Sequence, residues 1–193
     1  AGLALMEVRV AGVVLAAGQG RRLGGPKALR PWRGAPLLAW AVATLREGGC
    51  DPVAVAVAHR DAEAAARAAG GWPVAGGTTM LDSLRAALAA LPTEVDGAVI
   101  LPVDAPGVRP ETVVALRAAA AEGAMAAVPV YAGRWGHPVW LARSPWGALV
   151  DPGPRGLESL LARLVPVEVP VDDPAVLRDV DTFADWLALD DAP

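Results

Sequence analysis

The sequence predicts an α/β protein built as three layers, with helices on both faces of a mainly parallel mixed sheet. Strand-like apolar runs alternate with helical patterns along the first half of the chain. Parallel strands need helical crossovers, and those crossovers cover both faces of the sheet. At 193 residues, with 54% hydrophobic and 20% charged residues, the chain has the composition of a compact protein. We therefore expect residues 1–193 to form one domain.

The first half of the chain contains the clearest alternation. Leu38, Val42 and Leu45 share one helical face, and glycines 48 and 49 end that helix. Later leucines at spacings of three and four mark another helix and leave Ser83 off its buried stripe. The predicted elements here are a strand at 8–17, a helix at 35–49, a strand at 51–59, a helix at 60–71, a short strand at 72–77, a helix at 78–91 and a strand at 96–104.

The second half continues with shorter elements. Pro110 and Glu111 form the first turn of a helix, and Asp181 or Thr182 caps the last one. The predicted elements here are the helix from 110, strands at 124–130 and 137–143 joined by a turn at 131–136, a helix at 157–164, a strand at 165–171 and a helix at 181–189. Ligands of parallel sheets bind beyond the carboxyl ends of the strands, where Asp104 and the loop after the first strand lie.

Composition narrows the class of protein. The single cysteine, Cys50, cannot form an internal disulfide, which favours a reducing cytoplasm. The first residues lack a basic region, so we expect neither a signal peptide nor a membrane anchor. Residues 1–5 are interpreted as disordered, expression-derived or an alternative start before Met6. A net charge of −4 argues against a nucleic-acid partner.

Charge is distributed unevenly along the sequence. From residue 8 to residue 46 there is no acid, and this stretch holds Lys27, the only lysine of the chain. From residue 168 to residue 191 eight acids accompany one cation, Arg178. The two segments could meet at a phosphate and a metal ion, or the acids could form a solvated surface.

The stretch "GQGRRLGGPK", residues 18–27, is a candidate phosphate loop. A dinucleotide fingerprint fails because Leu23 stands where its third glycine belongs. A P-loop fails because Pro26 stands at its lysine position. The pattern GxGxRxGxxK remains, in which glycines let the backbone approach a triphosphate while Arg22 and Lys27 neutralise it.

Five segments in this order resemble the nucleotidyltransferases that make molybdenum-cofactor dinucleotides, most of all the cytidylyltransferase branch. They are "VVLAAGQGRRLGGPKAL", "GGTTMLDSLRAAL", "ILPVDAPGV", "GRWGHPVWL" and "LRDVDTFADW". The resemblance implies a Rossmann-like nucleotidyltransferase fold. Two positions depart from related sequences: Ala105 replaces a larger residue, and Met80 stands where cytidylyltransferases of isoprenoid synthesis carry an arginine.

The resemblance also implies roles for individual residues. Arg22, Lys27 and Asp104 would be catalytic, and Asp104 with Asp181 would bind Mg²⁺ or Mn²⁺, Asp179 being the other possible second acid. Trp135 and His137 would contact the acceptor, although a structural loop histidine is the simpler interpretation. The nucleotide would be bound by Leu15, Ala16, Ala17, Gly18, Gly20, Arg22, Lys27, Gly77, Ser83 and Asp104.

The resemblance further implies an enzyme that transfers a nucleoside monophosphate, from CTP by preference, to a phosphorylated acceptor. The expected acceptor is molybdopterin or its molybdenum-loaded form, and a molybdoenzyme could receive the product. Three alternatives stay open: a guanylyltransferase for the same cofactor, a sugar-phosphate or polyol-phosphate nucleotidyltransferase, and a nucleotide-binding maturation protein without turnover. The alternative for Asp104 is a turn-forming residue before Pro106, and for Asp181 a helix cap, which a metal-binding carboxylate can also provide.

Overall fold

The structure is a computed structural model that describes residues 8–18, 20 and 24–190. The strands are β1 (Val10–Ala16), β2 (Pro31–Trp32), β3 (Ala35–Pro36), β4 (Val53–Val57), β5 (Trp72–Ala75), β6 (Gly97–Pro102), β7 (Ala126–Tyr131), β8 (Arg134–Trp135), β9 (Val139–Ala142) and β10 (Val167–Pro170). The α-helices are α1 (Leu37–Glu47), α2 (Arg60–Ala68), α3 (Met80–Ala90), α4 (Pro110–Ala121), α5 (Leu157–Leu164) and α6 (Phe183–Asp190). Short 3-10 segments cover Lys27–Leu29, Ser144–Val150 and Pro174–Leu177.

The central sheet has eight strands in the order β10-β7-β9-β6-β1-β4-β5, and β8 pairs with β7 beside this path. β1 runs parallel to both β4 and β6, β4 to β5, and β7 to β10. β9 is antiparallel to both of its neighbours. The prediction of a mainly parallel mixed sheet is therefore confirmed.

Side-chain alternation along β1 divides the core into two layers. Val14 and Ala16 pack with α1, α2, α4 and α6 on one face of the sheet. Val13 and Leu15 pack with α3 and α5 on the other face. Both faces of the sheet are covered, as the helical crossovers require.

Two tight hairpins interrupt the predicted elements. α1 begins at Leu37, because residues 35 and 36 pair with β2 across a turn at Arg33 and Gly34, whose φ angles are 47° and 84°. The predicted turn at 131–136 contains β8, which folds back on β7 through Ala132 and Gly133 at φ angles of 49° and 72°. Two central residues with positive φ suit the twist of a two-residue hairpin.

One edge of the sheet exposes some apolar surface. Trp72 lies on the edge strand β5 and is 47% exposed, whereas Trp140 and Trp186 are buried in the core. An edge strand has a neighbour on one side only, so its side chains receive less cover.

Within the described part of the chain, no helix combines the length and apolar character that crossing a bilayer requires.

Cys50 is buried in the core next to α1, as a single inert thiol. Burial raises the pKa of the Cys50 thiol to about 12, although the charge of Arg117 acts in the opposite direction. Only the thiolate reacts rapidly with disulfides or alkylating agents. We predict that a thiol reagent at pH 8 labels Cys50 only as fast as the protein unfolds. Rapid stoichiometric labelling of the native protein would contradict this placement, and the unfolded protein in denaturant is the positive control.

Candidate functional site

The carboxyl ends of β1 and β6 form the base of the candidate site. Leu15 pairs with Pro102 at the end of these two strands, and the backbone N–H of Val103 donates to the carbonyl of Leu15 at 3.1 Å. Asp104 follows directly. Its carboxylate therefore lies beside the loop that leaves β1, as the strand assignments predicted.

The glycine-rich loop after β1 is closed on itself. The N–H of Gly25 donates to the carbonyl of Gly20 at 3.2 Å, and Gly20 has a φ of +55°. A Cβ on residue 20 would lie 1.9 Å from the carbonyl oxygen of Gly25, so this turn requires glycine. Of the predicted phosphate ligands, Arg22 lies outside the described residues. Lys27 begins the 3-10 segment that ends the loop.

Lys27 joins two carboxylates from distant parts of the chain. Its Nζ donates to Asp104 at 3.4 Å and also to Asp181. The Lys27 side chain is 12% exposed. In this partly buried position, two opposite unit charges about 4 Å apart attract each other by roughly 4 kcal/mol before the free-energy cost of desolvation is subtracted.

The segment before α6 is tied to the end of β6. The N–H of Val180 donates to the carbonyl of Asp104 at 2.9 Å, which brings Asp181 next to Asp104. Thr182 and Asp185 form the cap of α6: the Thr182 N–H donates to Asp185 at 2.7 Å, and the Asp185 N–H donates to Thr182 at 3.2 Å. The hydrogen bonds from Thr182 lower the pKa of Asp185. Thr182 is therefore the cap, and the Asp181 side chain is directed to Lys27.

Asp179 completes a group of three acids with Asp104 and Asp181. One carboxylate oxygen of each lies within 4.8 Å of the others. Desolvation, followed by the charges of Asp104 and Asp181, raises the pKa of Asp179. Closely spaced carboxylate oxygens are the donors that Mg²⁺ and Mn²⁺ prefer. The three carboxylates therefore fit a hard divalent cation as ligands. Lys27 offsets part of the negative charge of these carboxylates.

A cavity of about 680 Å³ opens between the glycine-rich loop and the start of α3. Its walls come from two segments that meet closely, since a Cβ on Gly76 would lie 2.4 Å from that of Ala17. The N–H of Gly77 donates to the Ser83 hydroxyl at 3.0 Å. The lining residues are Leu15, Ala17, Gly18, Gly20, Lys27, Ala58, Gly77, Thr78, Thr79, Met80, Ser83, Val103 and Asp104.

Ala16 is the exception among the described residues predicted to contact a nucleotide. Its side chain packs in the core on the α1 face of the sheet and does not line the cavity. The reason is the strand alternation that turns Leu15 to one face and Ala16 to the other. A contact between Ala16 and the nucleotide therefore stays a prediction, and with the side chain in the core it would have to come from the backbone.

A second cavity, of about 570 Å³, adjoins the first. Leu15, Thr79 and Met80 line both cavities, and Trp135 and His137 line the second. The remaining walls are mostly apolar side chains, among them Leu84, Ile100, Val128, Val139 and Leu161. The structure thus places Trp135 and His137 in a cavity that adjoins the one beside the glycine-rich loop.

Backbone contacts fix the wall that carries His137. The His137 N–H donates to the carbonyl of Val176 at 2.8 Å, and a Cβ on Gly136 would lie 2.4 Å from that same oxygen. The indole N–H of Trp135 donates to Glu168 at 2.7 Å. Glycine at position 136 therefore allows the 3-10 segment Pro174–Leu177 to approach β8 and to hold the wall in place.

The sequence analysis did not predict several residues that line these cavities, among them Thr79, Met80 and Arg155. Thr79 caps α3 through a capping box with Asp82, and its T-x-x-D spacing was a usable signal. Met80 is 62% exposed at the boundary between the two cavities. Arg155 lies on the rim of the second cavity, paired with Glu158 at 2.8 Å, and the surrounding sequence carries no signal for it.

The model of one known protein family matches most of the chain. The profile of the MobA-like NTP transferase domain matches residues 12–168, which contain the glycine-rich loop, both cavities and Asp104. The chain belongs to this family. The molybdenum-cofactor resemblance of the sequence motifs is confirmed at the level of this MobA-like family.

Individual relatives of the chain differ in what their names state. A 2-C-methyl-D-erythritol 4-phosphate cytidylyltransferase of Frankia casuarinae is 38% identical over 133 residues, which are 66% of this chain and 50% of the relative. The chain thus spans about half the length of this curated relative. The crystal structure of Rv0371c from Mycobacterium tuberculosis is 31% identical and superposes with a TM-score of 0.84, covering 97% of this chain and 100% of that one. A complex of Rv0371c with manganese has a TM-score of 0.79 at 29% identity, covering 96% and 100% of the two chains.

The protein around the His137 ring determines the protonation state that we expect for it. Desolvation by the protein around the ring lowers the pKa of His137 below its ordinary value of 6.5, and the charge of Asp104 opposes the shift. We expect His137 to be neutral at pH 7 and to titrate with a midpoint below 6.5 in NMR of the metal-free protein. His137→Gln assigns the signal, and a midpoint above 6.5 would show that the carboxylate outweighs desolvation.

Proposed function

We propose that this protein is a metal-dependent nucleotidyltransferase, of the class that releases pyrophosphate from a nucleoside triphosphate. The proposed donor is CTP, and the proposed acceptor is the phosphate of molybdopterin or of its molybdenum-loaded form. The carrying observation is the contact of Lys27 with Asp104 and Asp181 at the edge of a cavity between two glycine-containing segments. Family membership supports the same class of reaction.

The first cavity is the proposed nucleotide site. Gly18 and Gly20 would bring backbone N–H groups near the phosphates, and Lys27 with Arg22 would supply positive charge. The base would lie near Leu15, Gly77 and the buried Ser83. A volume of about 680 Å³ falls in the range of sites that hold a drug-sized ligand.

The proposed chemistry is an in-line substitution at phosphorus. A phosphate oxygen of the acceptor attacks the α-phosphorus, one P–O–P bond forms, and the bond to the β-phosphate breaks with release of pyrophosphate. The attacking phosphate is already an anion near pH 7, so no side chain has to remove a proton. The chain contributes positioning and charge neutralisation, chiefly through Lys27 and the loop N–H groups.

Asp104 and Asp181 are the proposed ligands of Mg²⁺ or Mn²⁺, with Asp179 next to them. When bound, the ion would withdraw negative charge from the phosphates. The manganese complex of Rv0371c supports a divalent cation in a protein of this fold.

The second cavity is the proposed acceptor site. Its apolar walls and the indole of Trp135 suit a flat heterocycle better than a polyol, because apolar walls leave hydroxyl groups without partners. Arg155 on the rim could neutralise an acceptor phosphate. The name of the Frankia relative supports CTP as the donor, and the pterin is inferred from the molybdenum-cofactor motifs.

Pyrophosphate release tests this proposal directly. Each of the four nucleoside triphosphates is incubated with Mg²⁺ and with molybdopterin, its molybdenum-loaded form, or a panel of sugar and polyol phosphates. We expect CTP with the pterin to be fastest. Asp104→Asn should lower the rate at least about 100-fold, because charge stabilisation of the transition state is lost.

The matched control is Asp172→Asn, an exposed acid outside both cavities, which should keep the wild-type rate. A faster reaction with GTP would make the protein a guanylyltransferase, and a faster reaction with a sugar phosphate would replace the pterin as acceptor. If the protein bound a nucleotide but released no pyrophosphate with any pair of nucleotide and acceptor, it would be a nucleotide-binding protein, and the proposed enzyme activity would be rejected.

A further inference from the structure

Lys27 contacts the same two carboxylates that we propose as ligands of the divalent cation. An ammonium and a divalent cation repel each other and compete for the same carboxylate oxygens. We propose that Lys27 is a resident cation of the acid pair, which it leaves for the nucleotide phosphates when metal and nucleotide bind together. This inference rests on the proposed function and adds a coupling between its two ligands.

The acid group needs a cation in the nucleotide-free protein. Three carboxylates offer oxygens within 4.8 Å of one another, and like charges at such distances disfavour the folded arrangement. Lys27 lies against two of the three, with little exposure to solvent. Its ammonium thus holds Asp181 against the end of β6 before any ligand arrives.

The side chain can leave without moving the backbone. The main chain around it is fixed: the Arg30 N–H donates to the carbonyl of Lys27 at 3.0 Å, and the neighbouring Ala28 is buried. Lys27 also lines the cavity proposed for the nucleotide. A flexible four-carbon stem with a point charge can turn from the carboxylates to a phosphate in that cavity, whereas a planar guanidinium is bulkier and less easily redirected.

The consequence is reciprocal coupling. If a nucleotide removes Lys27 from the acids, it must raise the affinity of the acids for the metal, and the metal must raise the affinity for the nucleotide by the same factor. Metal alone should therefore bind weakly to the wild-type protein. Removing the lysine charge should strengthen metal binding and weaken nucleotide binding.

The test is Mn²⁺ affinity without nucleotide, measured by the EPR signal of free Mn²⁺. Lys27→Met keeps the length of the side chain and removes its charge, and we expect it to bind Mn²⁺ about tenfold more tightly than the wild type, within the usual range of coupling between sites. Lys27→Gln is a second uncharged variant. Arg30→Met is the matched control, because it removes a nearby positive charge whose guanidinium lies over Trp186, 5.4 Å from the ring centroid.

Equal or weaker Mn²⁺ binding by folded Lys27→Met and Lys27→Gln would overturn the inference, as would an equal gain in Arg30→Met. Because Lys27 is the only lysine, lysine labelled with ¹³C at Cε gives a single side-chain signal in the unmodified protein. That signal should shift when Mg²⁺ and CTP are added together, and an unchanged signal in a sample whose ³¹P spectrum shows bound CTP would also overturn it. Tighter Mn²⁺ binding by the variants without any pyrophosphate release by the wild type would reject the proposed enzyme and retain the coupling.

Discussion

The contact of one ammonium with two carboxylates organises this molecule around its candidate site. Lys27 reaches Asp104, 77 positions further along the chain, and Asp181, 154 positions further along. The three residues come from the loop after β1, the end of β6 and the segment before α6. Backbone hydrogen bonds bring these segments together at the edge of the sheet, and the Lys27 ammonium adds the contact between their side chains.

The sheet order makes that meeting possible. β1 and β6 are adjacent and parallel, so their carboxyl ends bring the glycine-rich loop and Asp104 to one edge. The C-terminal segment then crosses the same edge, held by the hydrogen bond from Val180 to Asp104 and by Arg178, which donates to the carbonyl of Pro106 at 3.3 Å. Because Thr182 and Asp185 cap α6, the Asp181 carboxylate is not used in the cap, and the Asp181 N–H donates to Asp185 at 3.1 Å. The helix cap thus explains how a carboxylate at a helix start remains directed to the site.

Much of this arrangement could be predicted from the sequence, since it depends on local patterns. Apolar runs and leucine spacing located the main helices and strands, and strand ends located Asp104 and the loop. The two hairpins at 31–36 and 131–135 were missed, because positive φ at Arg33 and Ala132 is unusual for these residue types. The T-x-x-D spacing of Thr182 and Asp185 was a local signal for the cap of α6, of the same kind as that of Thr79 and Asp82. The apolar cavity lined by Trp135 instead depends on contacts between distant segments. No spacing in the sequence encodes those contacts.

Under the proposed function, Asp104 and Asp181 bind the metal ion of a nucleotide site. Anomalous diffraction at the manganese edge, from crystals grown with Mn²⁺ and CTP, shows where that ion lies. We expect a manganese peak within coordination distance of Asp104 and Asp181, with CTP phosphates beside it and with the Lys27 ammonium on a phosphate instead of on the two carboxylates. A manganese peak at other acids, or bound CTP phosphates away from the glycine-rich loop with Lys27 still on both acids, would refute this site.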